Sequence, residues 1–126
     1  MMLDHMILPV NDVAESSKFY EDVLGLQEEG KDGPFTVMRV SDDSILLLSG
    51  HGTGGGLHLA FGMNREQFEE VFERIRSQGV DYGDSFHAVG NNQGPGVERG
   101  ARGQSNSLYF FDPNRHLFEI LHYNNR

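Results

Sequence analysis

Apolar positions along the chain recur with two alternating periods, and the order of the changes predicts the elements. Residues 3–10 (LDHMILPV) are a short apolar run rich in branched side chains, as a buried strand requires. Asn11-Asp12 offers a helix start, Val13, Phe19, Tyr20, Val23 and Leu24 share one helical stripe through residue 24, and Gly25 is a natural stop. Residues 35–40 and 44–48 read as two strands joined by a tight turn at Ser41-Asp42-Asp43. A glycine-rich connector, residues 50–56 (GHGTGGG), follows. Residues 57–63 (LHLAFGM) read as a strand and residues 64–78 as a helix, with Phe68, Val71, Phe72 and Ile75 at i, i+3, i+4 and i+7 before Gly79. Residues 80–82 suggest a short strand, and residues 90–96 (GNNQGPG) a loop. Strands over 105–111 and 117–123, joined by Asp112-Pro113-Asn114-Arg115, close the chain.

The order strand, helix, strands thus occurs twice, and individual residues repeat with it. His5 lies six before Asn11 and fourteen before Phe19; His58 stands in the same relation to Asn64 and Phe72. One offset, 53 residues, relates the two sets and suggests two copies of one supersecondary unit.

Strand alternation turns this repeat into candidate chemistry. His5 shares a face with Ile7 and Pro9, and His58 with the small residues Ala60 and Gly62. Glu119 points away from Phe118 and Ile120. Three polar side chains therefore occupy strand faces that the helices leave uncovered. A carboxylate inside an apolar strand is costly unless it is paired or bound to a metal. Two imidazoles and one carboxylate make a facial triad with open positions, suited to Fe2+, Mn2+, Co2+, Ni2+ or Zn2+. Each of the three alone would be an ordinary strand residue; together, at matching strand positions, they point to a metal site.

Composition narrows the setting. The 126 residues suit one domain built from two small modules, about 1–50 and about 57–126. With no Cys, only His and carboxylate remain as strong metal ligands. Ten Lys and Arg against nineteen Asp and Glu disfavour nucleic acid as a partner. No apolar run long enough for a membrane helix occurs, and the opening MMLDH lacks a basic leader, so the expectation is a cytoplasmic protein with no membrane partner. Residues 1–89 carry six basic and sixteen acidic residues, whereas residues 90–126 carry four and three, so an anionic ligand near the C-terminal part is compatible with the acidic total. His116 and His122 are expected to face solvent or a subunit contact, and the acidic residues of the second helix, Glu66, Glu69, Glu70 and Glu73, its wet face.

Residues 3–26 (LDHMILPVNDVAESSKFYEDVLGL), GLHLAFGM and SLYFFDPNRHLFEILHY together resemble the vicinal oxygen chelate superfamily of glyoxalases, bleomycin-resistance proteins and extradiol dioxygenases. The resemblance covers nearly the whole chain. It implies an α+β fold of two paired βαβββ modules, a curved, barrel-like mixed sheet with helices outside, cupping a divalent metal held by His5, His58 and Glu119. Substrates of such proteins chelate the metal through adjacent oxygens. One departure is Arg115, where the family usually has Gly; a turn remains feasible through Asn114, but its type is open.

The resemblance also sorts the chemistry. Glyoxalase I adds a second Glu from the last strand of the first module, and residues 44–48 (SILLL) hold no carboxylate. Bleomycin-resistance-like binders usually lack the triad. Extradiol dioxygenases place a Tyr ten residues before the Glu, which Tyr109 matches, so a dioxygenase-like enzyme on a small oxygenated substrate is favoured. Fosfomycin-resistance proteins, which add a thiol or water to an epoxide, share the triad and the Tyr. In them Arg99 would fall where a Lys is usual, and Arg102 at a further basic position, on a glycine-rich loop suited to a mobile lid. Against that branch, Ile7 replaces the Thr usual two residues after the first ligand. A non-catalytic binding or sequestering protein is the competing class. Small members of the family often pair the first module of one chain with the second of another, which implies a homodimer with shared sites and a small-molecule substrate as partner.

Overall fold

The computed structural model describes residues 1–124 and divides into two compact units, Met1–Gly54 and Gly55–Arg126. In the first, β1 (His5–Pro9) leads through α1 (Val13–Phe19) to β2 (Gln27–Asp32), β3 (Phe35–Ser41) and β4 (Ser44–Ser49). The sheet order is β1-β4-β3-β2, with β1 parallel to β4 and the remaining pairs antiparallel. The second unit repeats this with β5 (His58–Gly62), α2 (Arg65–Ser77), β6 (Gly96–Gly100), β7 (Gly103–Phe111) and β8 (Leu117–Tyr123). Its order is β5-β8-β7-β6, again with only β5 and β8 parallel. Each unit is therefore an open four-stranded βαβββ sheet. No described helix is long and apolar enough to cross a membrane.

The helices form where side chains satisfy their free ends. Asp12 caps α1 by accepting from the Glu15 amide at 2.9 Å. Asn64 and Gln67 make a reciprocal capping box on α2, at 2.8 and 3.3 Å. The caps lie 52 residues apart although the histidines lie 53 apart, so Asn11 takes another role and accepts from the Thr53 amide at 2.8 Å. The first helix also differs from its sequence pattern. After Phe19 it widens into a π-helical turn, Tyr20–Leu24, which buries Tyr20, Val23 and Leu24 before Gly25 ends it. On α2, Phe68, Val71 and Ile75 are buried against the sheet, while Phe72 is only half-buried.

Several expectations from the sequence need correction. Residues 80–82 form no strand; Gly83 makes a single bridge to Tyr109, at 2.9 and 3.0 Å, just beyond the reach of β6. The glycine-rich stretch before the last hairpin is not simply a loop, because β6 pairs with β7 and carries Arg99, leaving only Arg102 in the turn between them. The strand β2 (QEEGKD) has no apolar alternation and exists through its pairing with β3, interrupted by a bulge between Glu28 and Lys31.

The turn between β7 and β8 is densely hydrogen-bonded. Asp112 Oδ1 accepts from the amides of Asn114 and His116 at 3.0 and 2.8 Å, and its Oδ2 from the Asn114 side-chain amide at 2.8 Å. Arg115 itself takes the left-handed conformation, φ 67°, that the family's Gly would adopt without strain. His116 does not face solvent: it is fully buried, and its Nδ1 accepts from the Leu57 amide at 3.3 Å. The Gly56 amide donates to the Arg115 carbonyl at 3.2 Å, which brings Gly55 so close that a Cβ there would stand 2.6 Å from the carbonyl oxygens of Asn114 and Arg115. Asp112→Ala leaves three buried donors without an acceptor and is expected to lower unfolding free energy by about 3 kcal/mol, Asp112→Asn by less. Gly55→Ala adds a backbone clash at φ 85° and is expected to cost at least about 2 kcal/mol. Urea denaturation of the three variants checks both.

Candidate metal centre

The β7–β8 turn sets the register of the hairpin beyond it, and the register builds the site. Tyr109 stands opposite Glu119, Ser107 opposite Leu121, and across the parallel pair Ala60 lies beside Glu119. By strand alternation His58, Ala60 and Gly62 share this face with Glu119 and Tyr109, while Phe118, Ile120, Leu108 and Phe110 face the other way. His58 Nε2 meets Glu119 Oε1 at 3.0 Å; the histidine side chain is half exposed and the carboxylate is largely covered. The small Ala60 and Gly62 leave this surface open beside them.

Tyr109 is 5% exposed, with its ring centroid 6.3 Å from that of His58. Burial, then the negative charges of Glu119 and Glu98, then its hydrogen bond to Glu119 push the phenol well above its ordinary range; a hydrogen bond with Ser107 opposes them weakly. Tyr109 is thus a neutral donor throughout the physiological range. Ser105 and Ser107, wholly buried, share a 3.1 Å hydrogen bond on the same face.

Arg102 and Arg99 part company. The Arg102 guanidinium lies 5.0 Å from the Tyr123 ring centroid, and its Nη2 is 3.7 Å from where a Cβ on Gly62 would stand. Gly62 and Tyr123 belong to the Glu119 face, so Arg102 covers one end of it. Arg99 pairs with Gln104, which places it by alternation on the opposite face. Glu98, one residue earlier, is on the Glu119 face. Sequence reading missed this carboxylate because β6 was not visible as a strand.

His5, the first residue of β1, is half exposed and accepts or donates at Nδ1 with Asp4 at 2.8 Å. Its unit has no counterpart of Glu119. The register that sets Ala60 beside Glu119 and Tyr109 sets Ile7 beside Leu47 and Val37 in the first sheet. The first unit thus supplies an imidazole in register with Arg39 and beside apolar Ile7, Leu47 and Val37, the second an imidazole, a carboxylate and a phenol. Among the described residues no three His, Asp or Glu side chains gather within either unit.

The donors of the second unit, an imidazole nitrogen and a carboxylate oxygen held together by a 3.0 Å hydrogen bond, fit a first-row divalent ion in kind.

The chain belongs to the Glyoxalase/Bleomycin resistance protein/Dioxygenase superfamily, whose family model matches residues 2–120. It is 29% identical over 128 residues to the fosfomycin resistance protein FosX of Listeria monocytogenes, covering 94% of this chain and 86% of that protein. Among solved structures it resembles the oxidase ChaP-H1, with TM-score 0.79 and 29% identity over 99% of this chain and 98% of that one. An integron cassette protein from the mobile metagenome of V. cholerae gives TM-score 0.80 at 25% identity, covering 98% and 96%.

The raised Tyr109 pKa has a definite sign. Below pH 10 the phenol is neutral in both folded and unfolded chains; above it the unfolded chain loses the proton first, so stability falls as pH rises. In metal-free protein, Tyr109→Phe is therefore expected to leave the phenolate absorbance below pH 10 unchanged and to weaken the alkaline loss of stability. A phenol missing from the variant's titration below pH 10 would contradict this.

Proposed function

We propose that the protein is a divalent-metal-dependent enzyme acting on a small substrate held through two adjacent oxygens, with oxygenase-like chemistry favoured. The observation that carries this is the His58–Glu119 pair at 3.0 Å with the protonated Tyr109 against it. His58 and Glu119 are two of the ligands, and His5 from a first unit, of the same chain or of a partner, is the third. A bound divalent ion supplies Lewis acidity to the paired oxygens and offsets their negative charge. Tyr109, held neutral, donates a hydrogen bond to a substrate oxygen as charge develops there. Arg102, over the Gly62 end of the face, anchors an anionic substituent. Arg99 lies on the other face and is left out of this role.

The likeness to an oxidase over 99% of the chain supports the oxygenase-like reading. The second reading, opening of an epoxide by thiol or water, is supported by the placement of Arg102 and by the likeness to FosX. The half-exposed Ile7 disfavours it, because an apolar side chain replaces a hydroxyl that would help hold a phosphonate. The protein is a C2 homodimer in this proposal, which sedimentation at micromolar concentration checks.

Metal analysis of protein purified without chelators decides first. About one ion per chain is expected, with loss on His5→Ala, His58→Ala or Glu119→Ala while the fold persists; less than ~0.1 ion per chain, with no rebinding, would sink the triad. Iron with oxygen uptake on catechols supports the favoured reading. Manganese with epoxide consumption supports the second, and metal binding with neither activity supports a sequestering protein.

A further inference from the structure

The second unit has a groove on the side of its sheet away from Glu119. Its volume is about 440 Å³, within the range of small-molecule sites, and it runs between α2 and the strands β7 and β8. The groove explains an irregularity in the sheet. Along that face Leu108, Phe110, Phe118 and Ile120 are all apolar and fully buried. At the next register position the pattern breaks, and Asn106 pairs with His122. Both are half-buried, and their side chains meet at 3.3 Å. That single bond leaves the Asn106 carbonyl oxygen and His122 Nδ1 for other partners. Two polar residues here are unnecessary for packing, and they line the groove.

The other wall is aromatic and basic. Phe68 meets the His122 ring edge-on, with centroids 4.9 Å apart, and Phe72 continues the wall towards Tyr82. Arg65 and Arg76 stand towards its two ends. The Arg76 guanidinium lies 4.0 Å from the Phe72 ring centroid, which fixes its plane, and its Nη2 donates to Glu73 at 3.0 Å. Both arginines have carboxylate partners on the exposed helix surface, Glu69 at 3.3 Å and Glu73 at 3.0 Å. Such exposed pairs are weak and exchange readily for a better placed anion. Glu69 lines the groove and Glu73 stands at its edge, so an anion entering it replaces one exposed carboxylate partner of either arginine.

We infer that this groove is a second binding site, separate from the Glu119 face, for a small planar aromatic anion. The ring lies along the half-buried Phe72 and the edge of His122, above the buried Phe68, where aromatic pairs gain beyond simple burial. The carboxylate or phosphate takes the arginine edge donors, and the Asn106–His122 pair recognises a polar substituent on the ring.

The test is a titration of the full chain with 2-naphthoate, followed by calorimetry and by backbone amide chemical shifts. Saturable binding is expected in the sub-millimolar range, with the largest shifts at Phe68, Asn106 and His122. Hexanoate, with the charge but no ring, is expected to bind at least about tenfold more weakly. The exposed double substitution Arg65→Gln with Arg76→Gln is expected to weaken 2-naphthoate by about tenfold or more with the helical circular dichroism unchanged. Asn106→Leu, which suits the apolar face, provides an independent variant and is expected to remove the shift at His122. His58→Ala and Glu119→Ala, which disable the proposed metal site, are expected to bind 2-naphthoate as the native chain does. Absence of saturable shifts, shifts centred on the Glu119 face, equal binding of hexanoate, or undiminished binding by the double variant would each overturn the inference.

Discussion

Asp112 is the residue on which the second unit depends. One carboxylate accepts from two backbone amides and one side-chain amide inside a turn of a few residues, so the chain leaves β7 and enters β8 in a single register. A slip of one residue would carry every side chain of β8 to the opposite face. Glu119 would then lie under α2 and Phe118 would occupy its place. The same turn reaches backward: His116 and the Arg115 carbonyl hold the segment that begins the unit, and the Leu117 amide bonds the Leu57 carbonyl at 2.8 Å. β5 is thereby seated beside β8, and His58 within reach of Glu119. The strained Arg115 survives because the surrounding hydrogen bonds over-determine its conformation.

Where strand pattern and burial agree, the sequence was enough. The faces of β1, β5 and β8 followed from alternation, so the His58 and Glu119 positions were legible before any coordinates. β2 and β6 were not, because edge strands bury little and need no apolar alternation. That gap matters at the site: without β6, Arg99 and Arg102 looked alike, and Glu98 was not noticed. His116 shows a different limit. Its burial comes from accepting a backbone amide 59 residues away, a demand no local pattern announces.

The two units also show how one scaffold can hold unlike chemistry. Matching registers place Leu47 where the other unit has Glu119, and Val37 where it has Tyr109. The backbone frame is kept while the donors are distributed unequally. The first unit has leucine and valine at the two matching positions, and the second concentrates negative charge around one phenol.

This correspondence amounts to a built-in conversion table for protein engineering. A designer who wanted a second ion centre would not search the surface at random. Position 47 is the one whose equivalent in the other half holds a carboxylate, and position 37 the one whose equivalent holds a phenol beside it. The duplicated sheet is thus a record of tolerated geometry, in which each half supplies the blueprint for remodelling the other.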